Sequence, residues 1–79
     1  MNYTEITLTD ELTDAQYEIA DAITLWLEDH HQGAHSRSVI ARGVKADYQE
    51  VATALAWLDR NRMIAADGNK SWRKYAARR

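Results

Sequence analysis

Around a stretch from about Thr13 to His31 the apolar residues Leu12, Ala15, Ile19, Ala22, Ile23, Trp26 and Leu27 recur at helical spacing. Asp14, Glu18, Asp21 and Glu28 take the other faces, so the stretch predicts one amphipathic helix with a single apolar stripe. The same rhythm returns at Val51, Leu55 and Leu58, ahead of a Met63-Ile64 pair. Beyond it the spacing changes. Met63 to Ala66 and Ser71 to Ala76 flank Asp67-Gly68-Asn69, whose residue types favour the positive backbone angles of a tight hairpin. A chain so patterned is expected to be mainly α with a small β-hairpin.

Finer signals place the boundaries. Thr13 and Gln16 have the spacing of a capping box, and Gly33 suits the position just past the end of the first helix. Ser36 is a cap for a short second helix with Val39, Ile40 and Ala41 inward and Arg37 and Arg42 outward. Gly43, Val44, Lys45 and Ala46 are expected to form a turn, with Asp47 capping a third helix to about Asn61. Residues 1–12, where Tyr3, Glu5, Thr7 and Thr9 alternate with Ile6 and Leu8, read as an N-terminal arm. A docked tail and a strand used in dimerisation both fit it, and residues 13–79 form the domain. Trp26 reads as a core anchor.

Charge is sorted along the chain. Residues 1–36 contain eight carboxylates and no Lys or Arg, whereas residues 37–79 hold all ten cations and four carboxylates. The first segment therefore carries −8 and the second +6, which the overall −2 conceals. Asymmetry of this kind accompanies nucleic-acid surfaces. The absence of Cys excludes disulfides and thiolate metal sites, and no apolar run approaches a membrane span. An acidic N-terminal stretch is unlike a secretory signal, so a soluble, cytoplasmic protein is expected.

No nucleophile and base occur at recognisable spacing and no glycine-rich phosphate loop is present, so catalysis and a bound cofactor are not expected. His30, His31 and His35 lie beside Glu28 and Asp29, but Gly33 separates His31 from His35. Histidines at a helix C-terminus interact favourably with its dipole, which is sufficient to explain them without a metal.

The string HSRSVIARGVKADYQEVATALAWLDRNRMI resembles the helix-turn-helix of winged-helix transcription regulators. Ile40-Ala41, Val44, Val51, Leu55, Leu58, Met63 and Ile64 fill the family's apolar and small positions, and a basic hairpin follows where that family has its wing. The resemblance extends over roughly residues 13–76 and is nearest to short stand-alone bacterial regulators. It implies a three-helix bundle plus a two-stranded wing, with the third helix in the major groove of double-stranded DNA.

On that resemblance Tyr48, Gln49, Thr53 and Trp57 face outward from the third helix, and Gln49 suits a bidentate bond to adenine. Arg37, Arg42 and Lys45 would flank the groove, with Lys70, Arg73 and Lys74 extending the footprint along the wing. Trp57 packed on the wing is the structural alternative. Asp47 and Glu50 near the start of the reading helix would oppose phosphate, so a single copy is expected to bind poorly. A homodimer on two half-sites, or a partner subunit, would make up the difference. The competing expectation is a winged-helix module that binds another protein through its acidic first helix or the Tyr48 and Trp57 surface.

Overall fold

The computed structural model describes residues 12–68 and 72–78. The expected N-terminal arm, up to residue 11, lies outside them, as does Lys70. Within the described residues the chain runs α1 (Asp14–Asp29), β1 (His35–Ser36), α2 (Arg37–Val44), α3 (Tyr48–Arg60), β2 (Ile64–Asp67) and β3 (Lys74–Ala77). It is mainly helical with a small three-stranded antiparallel sheet, ordered β1-β3-β2.

α1 starts where its capping box predicts. Thr13 Oγ1 accepts from the Gln16 amide at 3.2 Å while the Thr13 amide donates to Gln16 Oε1 at 2.9 Å, so two otherwise orphaned donors are satisfied. Ala20, Ile23 and Leu27 are buried, with Leu12, Ile19 and Trp26 packed partly against them. Ala15, expected inward, is exposed. The helix closes earlier than Gly33: the His30 amide donates to the Trp26 and Leu27 carbonyls at 3.0 and 3.2 Å. Gly33 does have positive φ, +96°, but in the connection to β1.

Ser36 caps α2 by accepting the Val39 amide at 3.4 Å. Ile40 and Ala41 are buried, but Val39 is 41% exposed, because the inward face of so short a helix is set by those two adjacent residues. Gly43 corrects the expected turn, since it lies inside α2. A Cβ on Gly43 would stand 2.3 Å from Trp26 Nε1, so this glycine answers a close approach of α1, not a bend. Val44 is helical too, and the bend falls two residues after Gly43. Lys45 adopts the left-handed conformation (φ 59°), and the Ala46 amide returns to the Ala41 carbonyl at 3.1 Å.

Asp47 caps α3, its Oδ2 accepting the Gln49 and Glu50 amides at 2.9 and 3.3 Å. Val51, Ala54, Leu55 and Leu58 are buried and make α3 the centre of the core. The chain then reverses through Arg62 (φ 60°), with the Met63 amide bonded to the Leu58 carbonyl at 2.9 Å. Met63 sits in that reversal and is 50% exposed, so only Ile64 of the expected pair enters the core.

The first strand of the hairpin is shifted by one residue, taking in Asp67 in place of Met63, and the returning strand is shorter than its sequence suggests. Asp67 pairs with Lys74, so Trp72 and Arg73, expected in the returning strand, precede it, and Ser71 lies outside the described residues. Ile64 and Tyr75 point into the core, while Lys74 and Asp67 share the opposite face. β1 is an addition that two residues of sequence could not announce. It pairs His35 with Tyr75 and Ser36 with Lys74, tying the start of α2 to the hairpin.

Candidate nucleic-acid interface

The buried residues of α3 fix which of its residues face away. Opposite Val51, Ala54, Leu55 and Leu58 the helical repeat puts Gln49, Thr53, Ala56 and Arg60, all exposed. This face is small and polar with one cation at its end, and it carries no carboxylate. Gln49 and Thr53 match expectation. Ala56 and Arg60 continue the same face at a spacing of four, three and four.

Tyr48 and Trp57 occupy the two flanks of that face. Tyr48, 44% exposed, accepts a hydrogen bond from Arg37 Nε at 3.2 Å. That bond to Tyr48 is the main cause of a raised Arg37 pKa; burial opposes it and Tyr75 adds to it. The guanidinium at the start of α2 is therefore held charged and oriented beside the first turn of α3. Trp57 departs from the outward position expected of it. It is half-buried and meets Tyr17 of α1 edge-on, with ring centroids 5.4 Å apart and planes at 88°. That contact ties α3 to α1.

The carboxylates that threatened the interface are accounted for one by one. Asp47 uses an oxygen to cap α3. Glu50 lies with Glu18 on the rim of a groove between α1 and the α2–α3 turn. Asp59 takes Arg73 Nη1 at 3.4 Å. Both partners are about a third exposed, so this pair adds little to stability, about 0–1 kcal/mol, but it neutralises Asp59 and ties the hairpin to α3.

Other cations are differently placed. Arg42 and Lys45 are exposed on α2 and the turn that follows it. Lys74 is exposed on the outer face of the sheet, directly across from Asp67 on β2, a pairing that partly offsets its charge. Arg73 is half-buried: besides Asp59, its Nε donates to the Gly68 carbonyl at 3.3 Å. It is thus a strut of the hairpin first, with only part of its guanidinium facing solvent.

Two further features complete the surface. The groove between α1 and the turn has a volume of about 590 Å³, with Ile19, Ala22 and Val44 as apolar lining and three carboxylates, Glu18, Asp47 and Glu50, against one cation, Lys45. The histidines form an aromatic cluster at the end of α1. His30 stacks on Trp26 at 4.0 Å and 17°, and His35 meets Trp26 edge-on at 4.9 Å. His30 Nδ1 donates to the Trp26 carbonyl at 2.8 Å and His35 Nε2 to the His30 carbonyl at 2.9 Å. Since both acceptors are carbonyls, each of these nitrogens carries a proton. No group of residues able to hold a metal ion occurs among the described residues, and no helix among them is long and apolar enough to cross a membrane.

Comparison with family models, with curated proteins and with solved structures found no match to this chain. The functional reading rests on the arrangement of these side chains.

Proposed function

We propose that this chain is a winged-helix domain that binds double-stranded DNA as a small transcription regulator, α3 entering the major groove and the β2–β3 hairpin serving as the wing. The observation that carries the reading is the exposed, carboxylate-free face of Gln49, Thr53, Ala56 and Arg60 on α3. Small residues allow the helix to approach base edges, Gln49 offers a bidentate donor and acceptor for adenine, and Thr53 offers a methyl or hydroxyl. Arg37, fixed by Tyr48, and the exposed Arg42 and Lys45 supply phosphate contacts beside the helix. The order of elements supports the same reading: three helices, a hairpin after the third, and a short strand before the second that completes the sheet.

One copy presents few cations and a net charge of −2, so affinity on a single half-site is expected to be modest and two copies on adjacent half-sites to bind better. Fluorescence anisotropy with a labelled mixed-sequence duplex tests the proposal. Log affinity should fall with log salt at a slope of about −5 if six phosphates are contacted. Thr53→Glu, which places a carboxylate at the centre of the reading face, should weaken binding by at least about tenfold and leave the melting temperature unchanged, since Thr53 is exposed.

The acidic groove favours a second reading, a winged-helix module that docks another protein. Its carboxylates repel phosphate and part of its lining is apolar, so it would take a basic amphipathic segment. Absence of any salt-sensitive duplex binding would select that reading over the first.

A further inference from the structure

α1 carries five exposed carboxylates, Asp14, Glu18, Asp21, Glu28 and Asp29, and no Lys or Arg. Its buried side, Ala20, Ile23 and Leu27, enters the core. On the side turned away, Ala15, Glu18, Ala22, Leu25 and Asp29 follow one another at intervals of three, four, three and four, so they form one stripe along the helix. Leu25 stands 63% exposed on that stripe. A lone exposed Leu is ordinary on any surface, but one in register with two alanines has the spacing of a helix seam.

The groove against the α2–α3 turn runs beside this stripe and shares Ala15, Glu18 and Ala22 with it. Ile19 of α1 and Val44 and Ala46 of the turn supply further apolar lining, while Asp47 and Glu50 place carboxylates on the α3 side. The walls are thus α1, the turn and the first turn of α3, with no strand edge on which an extended peptide could add. A spacing of three and four is matched by another helix, and alanines on the wall let its backbone come close. From Ala15 to Asp29 the stripe is about 21 Å long at 1.5 Å per residue, which suits a partner helix of about four turns.

Charge decides what that helix is made of. Carboxylates on both walls repel nucleic acid and acidic peptides and attract Lys and Arg. Residues 1–11 of the chain hold Glu5, Asp10 and Glu11 and no Lys or Arg, so they would bring like charge to the groove. A two-fold pairing with a second copy through this face would likewise set the α1 carboxylates against their own kind. We infer that α1 and the groove beside it dock a basic amphipathic helix of a partner protein, its apolar seam on Ala15, Ala22 and Leu25 and its cations against Glu18 and Glu50. The inference rests on the protein-docking reading of the groove, not on duplex binding. It adds to that reading the partner's secondary structure, its register along α1, and Leu25, which lies beyond the groove itself.

The test uses two labelled synthetic peptides of about 18 residues, long enough to form a helix, titrated into the intact chain. Both carry the same Leu and Ala seam at three-and-four spacing; one has Lys on its polar face and the other Glu. The Lys peptide should bind, with amide shifts at Ala15, Glu18, Ala22 and Leu25, and the Glu peptide should not. Glu18→Lys should weaken the Lys peptide by at least about tenfold, whereas Glu28→Lys, the same change of charge on another face of α1, should cost less than about threefold. Leu25→Ala should cost about threefold to tenfold and melt as the wild type does. Equal losses in Glu18→Lys and Glu28→Lys would reduce the binding to unspecific charge attraction and overturn the inference. Equal binding of both peptides in the groove would overturn it as well, leaving the protein-docking reading in place, and no binding of either would overturn both. Shifts at the same residues that grow with the concentration of the chain alone would make a second copy the occupant and also overturn it.

Discussion

Leu55→Ala is expected to leave the chain largely unfolded at 25 °C. Leu55 has no exposed surface and lies mid-way along α3, the helix around which α1, α2 and the sheet are assembled. Truncating a buried Leu costs about 2–5 kcal/mol in transfer and cavity terms. A domain of this length without disulfide or metal has only about 3–5 kcal/mol to lose. The two magnitudes are equal within their scatter, so the variant should show weak helical circular dichroism and no cooperative melt. Leu25→Ala is the matched control. Leu25 is 63% exposed on α1, and its truncation should change stability by no more than about 0.5 kcal/mol. Similar losses in the two variants would mean that α3 is not the centre of the core.

Gly43→Ala should destabilise the fold by about 1–3 kcal/mol, the usual cost of overpacking. The sign is informative because helix propensity alone points the other way: in an open helix, Ala is favoured over Gly by about 1 kcal/mol. Here the new methyl would meet Trp26 Nε1 and Cε2 at 2.3 and 2.4 Å. The indole would have to leave, and with it the stack on His30 and the edge contact with His35. In a Trp26→Ala background the obstruction is gone. There Gly43→Ala should be neutral or stabilising, and urea denaturation of the four proteins would measure the reversal. A stabilising Gly43→Ala in the wild type would show that Trp26 does not pack on α2.

Those two variants also mark what the sequence could and could not reveal. Val51, Leu55 and Leu58 were legible because burial on a helix leaves a period, and Thr13, Ser36 and Asp47 because a cap needs a short oxygen-bearing side chain at a fixed offset. Gly43 misled because a glycine announces only that a Cβ is unwelcome. The reason for it, Trp26, is seventeen positions away in sequence. β1 has two residues, too few for any alternation. Val39 and Met63 are apolar and exposed, which composition cannot distinguish from apolar and buried.

The candidate interface divides in the same way. Gln49 and Thr53 follow from the period of α3, as do Ala56 and Arg60. Which flank Tyr48 and Trp57 occupy depends on partners from other helices, Arg37 and Tyr17. Arg73 is paired with Asp59, fourteen residues earlier, a contact that no local pattern announces. Trp72 carries no periodic signal, and its exposure is visible only once the hairpin register makes Lys74 the first residue of the returning strand.

The central claim, that α3 and the hairpin together form a duplex-binding face, is tested most directly by mapping amide chemical shifts. The uniformly labelled chain would be titrated with a short mixed-sequence duplex at low salt and again at higher salt. The account predicts salt-sensitive shifts at Arg37, Arg42, Lys45, the exposed face of α3 from Gln49 to Arg60, and Trp72 to Lys74, with Asp14 to Asp29 unmoved. Shifts confined to the α1 wall of the groove, at Ala15, Glu18, Ile19 and Ala22, or no shifts with any duplex, would contradict it.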